Sequence, residues 1–223
     1  MITLIAGAGP GLGLALARRF GRGADRPDEP RGECVLLVRS QDVGDGLVTE
    51  LAGDGIPARA FAVDLSDQTA LRATLRRVLL DVGLPDVAVA NASLGAETSP
   101  DEVTVTDIGA ALSVGTYVAL ALYQELVPGM RSRGSGTLIV TGSGVALRPW
   151  PGTTALSIDK AAARAFALAA ARHEGSSGVV IGTVTVDGLL GRPGFTPQEV
   201  AETFWSFHTQ AKESPTAELV HRG

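Results

Sequence analysis

Several short stretches of this sequence carry residue types that could do chemistry. The first is Ala6-Gly7-Ala8-Gly9-Pro10-Gly11-Leu12-Gly13, which follows an apolar run. Small residues there let a backbone approach a phosphate closely, and a helix opening at this turn offers free amides and a partial positive charge. A merely tight turn is the competing reading. The second is Val38-Arg39-Ser40, where a guanidinium ends another apolar run. Arginine pairs with phosphate through charge-assisted hydrogen bonds, and an ordinary surface arginine is the alternative. Asp64-Leu65 and Ala90-Asn91-Ala92-Ser93 also close apolar runs. For Asp64, capping of a helix that begins near Ser66 or Asp67 competes with ligand contact. The last stretch runs from Thr141 to Ala162 and holds a hydroxyl, Ser143, and an amine, Lys160. Lys160 is one of two lysines in a chain rich in arginine. Composition therefore does not account for it, although a surface lysine stays the plainer alternative.

These residues need a scaffold, and the hydrophobic pattern describes one. Short apolar runs predict strands over Met1–Ala6, Cys34–Val38, Ala58–Val63, Val87–Ala90, Thr137–Thr141 and Val179–Val186. Amphipathic runs predict helices over Gly11–Gly21, Val43–Ala52, Thr69–Val82, Thr106–Arg131 and Ser157–His173. In the third helix Leu71, Leu75, Val78 and Leu79 recur at helical spacing. Strands alternating with helices imply an α/β fold, a doubly wound parallel sheet with helices on both faces. We read residues 1–223 as one domain. Arg22–Gly32, charged and holding Pro27 and Pro30, predicts an exposed loop without catalytic role. Residues 189–223 predict either a substrate lid or, over Gln198–Gln210, a helix packed on the sheet edge.

The spacing Gly7-x-x-x-Gly11-x-Gly13 resembles the short-chain dehydrogenase/reductase family, and the likeness continues from about Thr3 to Gly188. It implies a Rossmann-like cofactor site in which Gly7, Gly9, Gly11, Leu12 and Gly13 face the pyrophosphate. It also implies cofactor contacts from Asp64, Leu65, Asn91 and Ala92, with Asp64 meeting the adenine. Arg39 and Ser40 stand where an NAD-selective member places a carboxylate, so NADP(H) is preferred and NAD(H) is the second choice. The family's reaction is hydride transfer between a nicotinamide and a carbonyl or alcohol. It uses a Ser, a Tyr and a Lys, with an Asn in the preceding helix supporting a water relay. Ser143 matches the Ser, and Lys160 matches the Lys that holds the nicotinamide ribose. The Tyr position falls on Leu156, which cannot transfer a proton, and the Asn position falls on Gly115. Glycine inside a helix predicts a bend or a close contact there. Substitute proton donors to consider are Tyr117, Tyr123, His173, His208 and Asp187, and Tyr117 is the one we place at the site. Tyr117 reads otherwise as core, His208 as a surface helix position, His173 as a helix-end charge, and Asp187 as half of an Asp-Gly turn. Ser143, Trp150 and Leu156 are the expected substrate contacts. The last strand closes in Asp187-Gly188 where the family has Pro-Gly, so nicotinamide carboxamide contacts are not assured.

Composition narrows the function further. A formal charge of −5 argues against nucleic acid. No run of about 18 consecutive apolar residues appears, so no membrane-spanning helix is expected. Cys34, the one cysteine, has no internal partner, and no Cys/His cluster has metal-ligand spacing. A cytoplasmic setting is the default expectation. Alanines such as Ala119, Ala121, Ala161, Ala165 and Ala169 permit close helix contact, and the resemblance implies a homodimer or homotetramer. The leading function is an atypical NADP(H)-dependent oxidoreductase acting on a small carbonyl, enone or imine. The alternatives are a non-redox dehydratase, isomerase or cyclase on the same scaffold, or an NADP(H)-binding protein without catalysis.

Overall fold

Seven strands form one parallel sheet in the order β3-β2-β1-β4-β5-β6-β7. A computed structural model describes residues 1–23, 31–95, 97–210 and 215–223. The strands are β1 (Ile2–Ala6), β2 (Glu33–Val38), β3 (Ala58–Ala62), β4 (Val87–Ala90), β5 (Gly136–Ser143), β6 (Val179–Val186) and β7 (Glu218–His221). The helices are α1 (Leu12–Arg22), α2 (Gln41–Gly53), α3 (Gln68–Asp81), α4 (Val105–Val114), α5 (Thr116–Arg133), α6 (Thr154–Glu174) and α7 (Pro197–Gln210). A short 3-10 turn, Gly144–Ala146, follows β5.

The central strands are buried on both faces, which explains their continuous apolar sequence. Side chains alternate between the two faces along each strand. Leu4, Ala6, Val35, Leu37, Ala88, Ala90, Leu138 and Val140 face one way, onto α3, α5 and α6. Ile5, Leu36, Val38, Val87, Val89, Ile139, Val184 and Val186 face the other way, onto α1 and α7. The strand order reverses at β1, whose neighbours are β2 and β4. At such a reversal two chain segments diverge and leave a crevice beyond the strand ends.

Three features depart from the sequence reading. The predicted helix Thr106–Arg131 is two helices, α4 and α5, divided at Gly115. Taken together, 105–133 is long and apolar enough to cross a membrane by length and composition, contrary to the expectation that no such stretch exists. Within the fold, Val118, Ala119, Leu122, Leu126, Val127 and Met130 of α5 are core, which accounts for the apolar sequence. The strand β7 has no counterpart among the predicted elements. Over Gln198–Gln210 the structure shows the packed helix of the two expected forms, with Val200, Ala201, Phe204 and Phe207 of α7 buried against the sheet and α1. Phe20 meets Trp205 edge-on at 5.5 Å, and the Arg19 guanidinium lies 4.2 Å above the Trp205 ring. Most of the predicted loop Arg22–Gly32 lies outside the described residues.

At the end of the sheet where β5 begins, α5 and α6 are stitched by a buried carboxylate. Glu174 accepts from Arg131 Nε at 3.0 Å and Nη2 at 2.6 Å, and from the Tyr123 hydroxyl at 2.7 Å. The Arg131 bonds come first in holding the Glu174 carboxyl down to about 2. Its folded value thus lies below the ordinary 4.5. The stability it contributes is present in full above the unfolded value and is lost as pH falls toward 2. Arg131 is half exposed, so solvent weakens the pair. Glu174→Gln is expected to cost about 2 kcal/mol in urea unfolding at neutral pH, with the deficit closing below about pH 4.

Candidate functional site

The glycine turn occupies the crevice at the strand reversal. Gly7 leaves β1 with φ +89°, and a Cβ there would meet the Ala92 backbone at 2.6 Å. This position requires glycine for two reasons, conformation and close approach. Gly13 is also tight, because its Cβ would lie 2.8 Å from Ala8 Cα. Gly9 and Gly11 differ, since a Cβ at either would have no protein atom within 4 Å. No side-chain contact within the fold demands glycine at these two positions. Gly11 is the N-cap of α1 and no side chain caps that helix. The Leu14 amide turns back onto the Gly9 carbonyl at 2.9 Å, which leaves the Leu12 and Gly13 amides at the start of α1 without an intrahelical acceptor. Leu12 contributes only backbone to this face, because its side chain is buried in the core.

Asn91 holds the turn in place. Its Nδ2 donates to the Gly7 carbonyl at 2.9 Å, and its Oδ1 accepts from the Thr141 hydroxyl at 3.1 Å. One amide thereby joins the ends of β1, β4 and β5. A cleft of about 340 Å³ opens beside it, lined among others by Gly7, Gly9, Arg39, Asp64, Leu65, Asn91 and Ala92. Ala8, Val63, Ser93 and Val114 complete much of the wall. Arg39 is exposed and makes no ion pair among the described residues, which leaves a free cation on the cleft rim. Ser40 is the N-cap of α2, although its hydroxyl makes no capping bond. Asp64 does not cap α3. That role belongs to Asp67, which accepts from the Thr69 and Ala70 amides. Asp64 instead accepts from the Ser66 hydroxyl and amide, and these bonds, helped by the Arg39 charge, hold its carboxyl below the usual range.

The second group of residues lies at the ends of β5 and β6. Ser143 closes β5, is half-buried, and accepts a long bond of 3.4 Å from the Val145 amide. Lys160 is buried on α6, and its Nζ donates to the Thr141 carbonyl at 2.9 Å. Burial pushes its amine down and the Asp159 charge partly opposes this. Leu156 lies half-buried in the first turns of α6, four residues before Lys160 and so on nearly the same helix face. Thr98 fixes the start of α6 by accepting from the Ala155 amide and pairing with Thr153.

The suggested proton donors fare unequally. Tyr117 begins α5 two residues beyond Gly115, is 41% exposed, and is not among the cleft-lining residues above. Tyr123 is committed to Glu174. His173 lies in the last turn of α6, remote in sequence from Ser143 and Lys160. His208 bonds the Thr137 hydroxyl near the start of β5, at the opposite end of the strand from Ser143. Asp187 is held by Arg148 and, at 3.7 Å, by Arg222. Its carboxylate is engaged in ion pairing with both. Trp150 is 67% exposed and lines an apolar groove with Pro149, Pro151, Ser157 and Ile158. Sequence reasoning passes over Thr98, Thr141 and Asp159. Thr141 acts through a backbone carbonyl, which no residue type announces.

The sheet order and the glycine turn at the strand reversal place the protein among the Rossmann-like α/β folds. More particularly, it belongs to the short-chain dehydrogenase family, whose model matches residues 1–191. A fatty acyl-CoA reductase of Mycobacterium tuberculosis is 29% identical over 216 residues, covering 89% of this chain and 70% of that protein. A (2S)-[(R)-hydroxy(phenyl)methyl]succinyl-CoA dehydrogenase subunit of Thauera aromatica is 32% identical over 141 residues, covering 62% of this chain and 52% of that one. Among solved structures, a metagenomic short-chain oxidoreductase in complex with NADP superposes with a TM-score of 0.88 at 23% identity, over 99% of this chain and 96% of that one. Family relatives of this kind are oxidoreductases.

Proposed function

We propose that this protein binds NADP(H) at the α1 turn and reduces a small carbonyl, enone or imine with a proton donor other than tyrosine. The observation that carries the reading is the pair Gly9 and Gly11, whose missing side chains serve no contact within the fold. A pyrophosphate against the uncapped start of α1 gives both glycines a reason. The adjoining cleft, with Asp64 and Leu65 at one side and Asn91 and Ala92 at the other, suits the adenosine half. Arg39 suits a 2′-phosphate, because a free guanidinium recognises a dianion and no acid stands beside it in sequence to accept a 2′-hydroxyl.

When bound, NADPH supplies the hydride. The side chains do the rest. The Ser143 hydroxyl orients the substrate oxygen by donating to it. Lys160, buried and aimed at the end of β5, holds the nicotinamide ribose. The proton that the substrate oxygen gains comes from water or from Tyr117, since Leu156 has none to give. Trp150 and Leu156 shape the substrate side. A second reading, non-redox chemistry or cofactor binding without turnover, has Leu156 as its specific support. The exposed faces of α5 and α6, with Tyr117 and Ile158, suit pairing with another copy of the chain.

Calorimetric titration with both dinucleotides tests the reading. The protein is expected to bind NADPH more tightly than NADH, and Arg39→Ala to remove about 2 kcal/mol of that preference, leaving NADH affinity unchanged. Equal affinity for both dinucleotides in the parent protein contradicts the role given to Arg39. No binding of either contradicts the whole reading.

A further inference from the structure

The side chain that precedes Lys160 is a fully buried carboxylate. Asp159 Oδ1 accepts from the Thr116 amide and from the Thr116 hydroxyl, each at 2.8 Å. The same hydroxyl lies 3.1 Å from the Asp159 carbonyl. Oδ2 is equally buried and has no protein partner among the described residues. A buried carboxylate oxygen without a donor is unfavourable, so it persists only where another interaction offsets it.

Gly115 makes the room. A Cβ at 115 would overlap both carboxylate oxygens of Asp159. Gly115 is also the break between α4 and α5, and no side chain of its own segment caps α5. Thr116 opens α5, and its amide has no intrahelical acceptor. Asp159 accepts that amide from the neighbouring helix, so an acid sits at a helix N-terminus although the chain supplies none locally. Around Lys160 stand the Thr141 carbonyl of β5 and, on its own helix, Asp159, the charged group that favours its ammonium form.

We propose that Asp159 is a positioning residue for Lys160: admitted by Gly115, it caps α5 from the side, locks α5 to α6, and places a buried carboxylate one residue from Lys160. The inference rests on the reading that Lys160 meets the cofactor. It treats Gly115 and Asp159 as one unit. A side chain at 115 and a carboxylate at 159 exclude each other, so the asparagine that the family resemblance puts at 115 would need a smaller residue at 159.

The test is NADPH titration of the full chain, followed by nicotinamide fluorescence from about pH 6 to pH 9.5, with thermal melts on the same samples. Asp159→Asn keeps an acceptor for Thr116 and removes the charge. It is expected to fold, to weaken NADPH binding about tenfold near the alkaline end, and to move the alkaline limb of binding down by at least about one pH unit. Lys160→Met is expected to bind weakly without that limb. Gly115→Asn alone is expected to lower the melting temperature, and Gly115→Asn with Asp159→Ser to restore it. If Asp159→Asn does not fold, the double variant carries the test and must fold with the same downward displacement. Parent protein that binds no NADPH overturns the cofactor reading. Parent protein that binds, with Asp159→Asn following its pH curve or with Gly115→Asn as stable as the parent, overturns the role of Asp159 and leaves the cofactor reading standing.

Discussion

Gly11→Asp is expected to abolish NADPH binding while leaving the protein folded. The new Cβ would meet no protein atom within 4 Å. Aspartate is moreover a favoured N-cap residue, and α1 has no side-chain cap at present, so the new carboxylate can offset strain at the turn. The same carboxylate would stand where the pyrophosphate is placed. Two unit charges about 4 Å apart at a protein surface repel by about 4 kcal/mol, roughly a thousandfold in affinity. Calorimetry with NADPH and a thermal melt on the same sample separate the two effects. An affinity within about threefold of the parent would remove the phosphate from this turn, because a repulsion of that size cannot be absorbed there.

Leu156→Tyr is expected to create or raise ketone reduction. Leu156 precedes Lys160 by about one helical turn, so a phenol there would project along the face that carries the amine. A nearby ammonium favours the phenolate, which brings the hydroxyl toward useful acidity. A positioned general acid contributes about 100-fold or more to rate. The measurement is NADPH oxidation with a panel of small ketones under saturating cofactor. A hundredfold rise supports a scaffold that still aligns hydride and carbonyl. An unchanged rate in a variant that binds NADPH normally would favour the non-redox reading.

Much of the scaffold was legible from residue pattern. Val87–Ala90 and Val179–Val186 are strands with the predicted bounds, because a buried parallel strand is a continuous apolar run that turn residues interrupt. The glycine turn was legible for the same reason, since it joins two such elements. The seventh strand was not. Glu218–His221 has four half-buried residues at the sheet edge and no apolar run to mark it. The break in the long helix was visible only as Gly115, a residue that fits a bend or a contact equally well; here it serves both. Asp159 left no signal, because an acid on a helix reads as solvent-facing and the glycine that admits it is distant in sequence. The ion pairs of Asp187 were hidden for a similar reason. Its partners Arg148 and Arg222 come from separate segments, which only the sheet brings together.

The central claim is that a dinucleotide rests on the amides that open α1. Hydrogen exchange followed by mass spectrometry, with and without saturating NADPH, reads those amides directly. The predicted result is slower exchange across residues 7–14, with smaller protection at 39–40 and 91–93, and little change in α7. Saturation by NADPH with unaltered exchange across 7–14, or no saturation at millimolar NADPH, would contradict it.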